Sequence, residues 1–283
     1  MASISKETQI PVFKHFKVYL TRLIKTFTIS LSFIAFSPAQ ESQADELAKK
    51  LQNPVASLIS IPVQGNFDFG VGPSEGFRMT TNIQPVIPIS ISENWNLIGR
   101  IVLPVVYQND TFGDSNSQFG LSDAIISGFF SPKEPTSGGI IWGAGPAILA
   151  PIATDDLLGT EKLGIGPTAV ILKQIGQFTV GALANHIWSI AGDDSRSDVN
   201  NTFLQPFVAK NFKGGYALTL NTEFTQNWEL DGSSGFLHLV GSKVMTFGKQ
   251  ITQIFIGPRV PYGNANTTEW GFRAGITLLY PKN

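Results

Sequence analysis

From Ser60 onward, apolar and polar residues alternate over stretches of about 10–14 residues, separated by short turn-rich breaks. Alternation of this length predicts β-strands, each with one apolar and one polar face. The segments read in this way are Ser60–Val71, Phe77–Ser90, Trp95–Gln108, Gly120–Ser131, Ile140–Ala153, Leu163–Lys173, Gln177–Ala191, Asn200–Lys210, Tyr216–Trp228, Gly235–Thr246, Ile251–Val260 and Trp270–Tyr280. In the third, Trp95, Leu97, Ile101, Leu103, Val105 and Tyr107 share one parity, while Asn96 and Arg100 take the other. In the last, Trp270, Phe272, Ile276, Leu278 and Tyr280 oppose Gly271, Arg273, Gly275 and Thr277. The first segment sets Val63, Phe67 and Phe69 against Gln64, Asn66 and Asp68; the second puts Arg78, Asn82 and Gln84 on its polar face, and the ninth Asn221 and Glu223. The fifth, sixth, eighth and tenth segments alternate too poorly to assign a facing.

Large aromatics bracket several segments. Trp95 and Tyr107, Phe178 and Trp188, Tyr216 and Trp228, and Trp270 and Tyr280 stand ten or twelve residues apart. In a strand tilted by ~40° that spacing covers about 25–30 Å, the height of an apolar membrane band between two aromatic girdles. Strands of soluble sandwiches average only about five or six residues. The predicted fold is therefore all-β: a transmembrane, antiparallel, up-and-down β-barrel of about twelve strands, with ten or fourteen as the neighbouring even counts.

Break lengths agree with this topology. Ile91–Asn94, Gln174–Gly176 and Phe247–Gln250 are short and fall on the side of the N-terminus; Asn109–Phe119, Thr154–Lys162, Gly192–Val199 and Pro261–Glu269 are longer and fall on the other. Lys133, Lys173, Lys210, Lys213, Lys249 and Lys282 gather on the short-turn side. Asp110, Asp114, Asp155, Asp156, Glu161, Asp193, Asp194, Asp198, Asp231 and Glu269 gather on the long-loop side. The acid pairs Asp155-Asp156 and Asp193-Asp194 have two readings: solvated turn formers, or sites that bind divalent cations or repel anionic solutes.

The N-terminus has the three parts of an export signal. Lys14, Lys17, Arg22 and Lys25 precede an apolar run from Thr26 to Phe36, and small residues offer cleavage after Ala39 or Ala44. The run is far short of the ~20 residues that a spanning helix needs. Residues 1–44 are thus expected to be a signal peptide, 45–58 a short N-terminal helix or leader, and 59–283 the barrel. Asp45 to Leu58 opens with acids, continues with lysines and meets Asn53-Pro54, a helix pattern with a stop. It would plug the lumen, lie at the periplasmic rim, or remain an unstructured leader. The uncharged window Pro135–Thr154 holds three prolines and four glycines, which exclude a spanning helix.

Composition narrows the chemistry. Charged residues make up 14% of the 283, against ~25% in soluble domains. The absence of cysteine removes disulfides and thiolate sites, and a net charge of −1 gives no footprint for nucleic acid. Nothing in the sequence calls for a cofactor. Of the three histidines, His15 lies in the signal region. A Ser-His lipid hydrolase on the barrel's outer face would need His186 or His238 beside a serine such as Ser189 or Ser242, and no nucleophile-elbow motif is present. The Gly143-x-Gly145 and Gly164-x-Gly166 pairs lack the residues that complete a phosphate loop and read as close-packing strand glycines.

The runs Asn82–Gln108 (NIQPVIPISISENWNLIGRIVLPVVYQ) and Gly120–Lys133 (GLSDAIISGFFSPK), with WGAGPAILAPIATDDLLG, GALANHIWSIAGDD and NTFLQPF between Ile141 and Phe207, resemble a family of outer-membrane transporter barrels. These are similar to the barrels of the MetA pathway of phenol degradation. The resemblance spans about residues 46–283 and implies an outer-membrane barrel with a transport function, without a defined substrate. Outer-membrane lipid and the barrel-insertion machinery are then the expected partners, with a small solute, hydrophobic or polar, as cargo. The leading expectation is a non-enzymatic passive channel; a non-transporting structural or sensory barrel is the alternative. The pore-lining candidates are Gln64, Asn66, Asp68, Arg78, Asn82, Gln84, Asn96, Arg100, Asn221, Glu223 and Arg273. Arg78, Arg100 and Arg273 with Asp68 would form one charged cluster, which either sets selectivity or fills a narrow interior.

Overall fold

The computed structural model describes residues 38–281, with side chains from residue 43 onward. Helix α1 (Pro38–Leu51) precedes the strands β1 (Ile59–Val71), β2 (Gly76–Ile83), β3 (Val86–Ser90), β4 (Trp95–Asn109), β5 (Ser117–Leu121), β6 (Ala124–Pro132) and β7 (Ile140–Ala150). These are followed by β8 (Lys162–Ile175), β9 (Phe178–Gly192), β10 (Asn200–Asn211), β11 (Tyr216–Asn227), β12 (Gly232–Phe247), β13 (Gln250–Tyr262) and β14 (Trp270–Tyr280). No described helix is long and apolar enough to cross a membrane.

The strands form one antiparallel sheet, in the order β14-β13-β12-β11-β10-β9-β8-β7-β6-β4-β2-β1, and β1 pairs back onto β14. That seam runs in unbroken register from Ile59↔Tyr280 to Phe69↔Trp270. The result is a closed twelve-strand barrel with no open edge. Two short strands, β3 and β5, are additions that arise where single expected strands break. The break after β2 falls at Gln84-Pro85, since Pro85 has no amide hydrogen for the ladder. β3 then continues along β4 and touches β1 at Ser60↔Val86. The second break, at Ser122-Asp123, separates β5 from β6. β5 pairs only with β4; its other edge is taken by the β7–β8 loop, through Leu121 N–H to Thr154 Oγ1 (3.0 Å) and Thr154 N–H to the Leu121 carbonyl (3.1 Å).

Alternation along the strands sorts the surface. Ile101, Ile126, Ile148, Ile171, Leu204, Leu220, Leu239, Ile256 and Ile276 are exposed and form an apolar belt outside the barrel. Aromatics border it at both ends. At the long-loop end Phe69 stacks on Trp270 and tilts against Phe77, which meets Tyr107. At the short-turn end Trp95 meets Trp142 edge-on, and Lys210 and Lys243 lie over the rings of Phe178 and Tyr216.

The N-terminal segment differs from its sequence reading. The helix, expected within Asp45–Leu58 with a stop at Asn53-Pro54, begins earlier: it spans Pro38–Leu51 and ends just before that stop. Pro54 disfavours helical backbone at Asn53, whose Oδ1 accepts from the Val55 amide (3.0 Å) and turns the chain into an extended run toward β1. The basic stretch and apolar run read as an export signal lie outside the described residues. Both cleavage positions, after Ala39 and after Ala44, fall within the span of α1.

Candidate functional site

The chain segment from Ala44 to Leu58 occupies the short-turn end of the barrel interior. Leu47, Ala48 and Leu58 are buried with Val244 of β12 and Leu279 of β14. Val55 is buried among Ile98, Phe129, Val170, Leu172 and Leu183, which come from β4, β6, β8 and β9. Four polar ties hold the segment to the wall. The Gly215 amide donates to Asp45 Oδ1 (2.7 Å) and Gln174 Nε2 donates to the Lys49 carbonyl (3.0 Å). Thr219 Oγ1 donates to Gln52 Oε1 (3.3 Å), and Asn96 Nδ2 to Ser57 Oγ (2.9 Å).

Beyond this segment the interior has two unlike walls. One, from β11 through β14 and β1 to β4, carries the charges. Arg273 is buried and donates from Nη1 and Nη2 to both oxygens of Glu223 (2.9 and 2.8 Å) and from Nε to Asn66 Oδ1 (2.8 Å). Glu223 also accepts from Gln205 Nε2 (3.2 Å), and its Oε2 lies 3.4 Å from Nε2 of the buried His238. Arg259 donates from Nη1 to Asp68 Oδ2 (2.9 Å) and stacks 3.5 Å from the centroid of Phe236. Arg78 lies opposite Asp68 in the β1–β2 register and donates to Gln108 Oε1 (2.8 Å), whose amide donates in turn to Gln118 (2.8 Å). Arg100 donates to Gln84 Oε1 (2.7 Å).

All eleven residues singled out in the sequence therefore project into the interior. Gln64, Asn82, Gln84, Arg100, Asn221, Glu223 and Arg273 border interior cavities, and Asn66, Asp68, Arg78 and Asn96 bond to other interior side chains. The charged cluster is assembled differently from its expected form. Asp68 is ion-paired with Arg259, and Arg273 crosses to Glu223. Sequence reasoning missed Arg259, His238, Gln108, Gln118, Gln205 and Gln253. For Arg259 and Gln253 a signal was present: Ile254, Ile256 and Val260 share the opposite parity and are all exposed on the belt.

The second wall, from β6 to β10, is mostly apolar and includes Ile125, Phe129, Leu149, Leu183, Ile187 and Phe203. A cavity of about 340 Å³ lies between this wall and Gln64, Asn82, Gln84, Arg100 and Glu223. A second, of about 270 Å³, lies toward the short-turn end and is floored by residues 50–54, Ala56 and Leu58. Both border Arg100, Gln64, Gln84, Leu183 and Gln205. The two glycine pairs serve close packing: an added Cβ at Gly145 would strike the Gly128 carbonyl oxygen, and one at Gly166 the His186 carbonyl oxygen.

At the long-loop end, polar contacts tie three loops together. Buried Asp123 accepts from the Ala153 and Thr160 amides and from Thr160 Oγ1. Arg196 pairs with Glu161 and donates to the Asp156 and Gly159 carbonyls. Asp198 pairs with buried Lys162 (3.1 Å) and accepts from Ser189 Oγ (2.9 Å); these two bonds hold its carboxyl below the usual carboxylate range. Asp193 is held below it by Ser195. Of the acid pairs, Asp155 and Asp193 accept backbone amides two residues on, at Leu157 and Ser195, as turn formers do. Among the described residues no group of three or more His, Asp or Glu is placed to hold a metal ion. The serines weighed for hydrolysis are bonded elsewhere, Ser189 to Asp198 and Ser242 to Gln253, while His186 Nδ1 meets Thr202 Oγ1 (2.7 Å).

The barrel resembles a known one. Its fold is similar to the crystal structure of the COG4313 outer membrane channel from Pseudomonas putida F1, with a TM-score of 0.61 over 79% of this chain and 96% of that one. Identity between the two is 12%, so the likeness is one of fold. No protein-family model and no curated protein matches the sequence.

Proposed function

We propose that this chain is an outer-membrane passive channel or transporter for small solutes in a Gram-negative-type cell. An export signal in residues 1–44 would deliver it, and barrel-insertion machinery would place it among outer-membrane lipids. The observation that carries the reading is a closed twelve-strand barrel with an apolar outer belt and a polar, arginine-bearing interior. Charges inside a lumen select solutes, whereas charges on the lipid face would cost ~2–4 kcal/mol each near the midplane. The fold's likeness to an outer membrane channel supports this, as does the sequence resemblance to the MetA-pathway barrels. The proposed activity is passage without covalent chemistry.

Single-channel recording in planar bilayers tests the reading, with discrete conductance steps expected. No conductance, together with unchanged solute uptake in a deletion strain, would overturn it. One observation favours a non-transporting barrel instead: Ala44–Leu58 fills the short-turn end of the interior. The same recording on a protein lacking residues 45–58 separates the two, since a conduit behind a plug gains conductance when the plug is removed.

A further inference from the structure

Four arginines and two carboxylates face one another across the interior described above. Arg259 is paired with Asp68, Arg273 takes both oxygens of Glu223, and Arg78 stands opposite Asp68 in register. Arg78 and Arg100 are the two cations outside these ion pairs: Arg78 donates to Gln108 away from the larger cavity, whereas Arg100 borders it. The hydrogen bond of Arg100 goes to a neutral amide, Gln84, and among the described residues it has no ion-pair partner within 4.0 Å. A guanidinium has five N–H donors, so most of its capacity is open. Holding such a charge away from bulk water is costly unless an anion meets it.

The surroundings say what kind of anion. Arg100 borders the cavity of about 340 Å³, whose far side carries Phe129, Leu149, Leu183, Ile187 and Phe203, with Asn185 and Asn201 set among them. This volume lies within the ~300–1,000 Å³ range of small-molecule sites. Glu223 borders the same cavity, and both of its oxygens are taken by Arg273. A second anionic group on the ligand would meet Glu223, neutral side chains such as Asn185 and Asn201, or apolar ones, because Arg100 is the one cation lining this cavity.

We propose that this cavity binds an amphipathic organic monocarboxylate, with its carboxylate on Arg100 and its hydrocarbon body against the β6–β10 wall. The proposal rests on the channel reading for its purpose, but it is a claim about equilibrium binding. It is tested with full-length protein in lipid nanodiscs, by titration calorimetry with phenylacetate and its neutral isostere phenylacetamide. Phenylacetate should bind at least about ten-fold more tightly than the amide, as a charge-assisted bidentate contact predicts. Arg100→Gln should abolish that preference, Arg100→Lys should keep part of it, and Leu149→Trp, which fills the cavity, should weaken both ligands alike. Equal affinities for acid and amide in the unaltered protein would overturn the proposal, whatever the folding of the variants. So would an unchanged preference in an Arg100→Gln protein that keeps its heat-modifiable electrophoretic mobility. Conductance is not part of the readout: loss of the channel reading and loss of the anion site show up in different experiments.

Discussion

Arg273 shows how much a single side chain can organise inside a barrel. It is buried, its three donor nitrogens are all engaged, and its partners come from β1 and β11 on either side. Replacing it with Met leaves Glu223 beside His238 without its main counter-charge, and removing one member of a buried pair typically costs about 3–5 kcal/mol. Arg273→Met should therefore lower the temperature at which the folded barrel loses its compact electrophoretic mobility, and Glu223→Gln should lower it less. Gly166→Ala should cost about 1–3 kcal/mol by overpacking, because the new methyl meets a backbone oxygen of β9 that cannot swing aside. Unfolding of the variant in urea checks this. At the residue scale the charged positions of β1, β2, β4 and β14 were legible because their neighbours on the opposite face are apolar or aromatic. Arg259 was passed over because Phe255 and Gly257 share its inward parity and mask the alternation.

At the scale of elements, the strands that could not be assigned a facing are informative. Segments beginning at Ile140, Leu163 and Asn200 form β7, β8 and β10, part of the apolar interior wall. With the exposed apolar belt on one side and Val55, Phe129 or Leu183 on the other, both faces of such strands are apolar and the two-residue period disappears from the sequence. The breaks at Pro85 and Asp123 were equally hidden: a strand interrupted by one or two residues still reads as one apolar run. The loops behave differently. Asp198 links the start of β8 to the end of β9 through Lys162 and Ser189, and Val199 donates to the same Ser189 oxygen (3.1 Å). Because its folded carboxyl titrates below the unfolded value of about 3.9, the stabilisation is complete above that value and fades as pH falls through the lower folded one. Amide exchange at Val199 should be slower in the parent than in Asp198→Asn at neutral pH, and the two rates should converge in strong acid. A constant difference down to low pH would refute the link.

From Ala44 onward the chain forms a ring whose interior is polar along one wall and more apolar along the other, and which holds its own residues 44–58 at one end. The class of fold was legible because long alternating strands and the even spacing of their bracketing aromatics are recorded directly in local sequence. The location of the Ala44–Leu58 segment was not legible. Its contacts with Val244 and Leu279 lie most of the chain away, and a short helix with one apolar stripe carries no mark of what will cover it. If the barrel is a conduit, deleting residues 45–58 should raise single-channel conductance several-fold while the barrel stays compact; unchanged conductance would count for a non-transporting barrel.

The seam between β1 and β14 carries one more implication, for the order of events during assembly. The plug is joined directly to β1, and β1 is the strand that completes the ring. Because Leu47, Ala48 and Leu58 pack on Val244 and Leu279, burial of the segment and closure of the ring draw on one strand, β14. Pairing of such distant strands is intrinsically slow. In a sheet not yet closed, Leu47, Val55 and Leu58 offer the apolar part of the concave face something to close around.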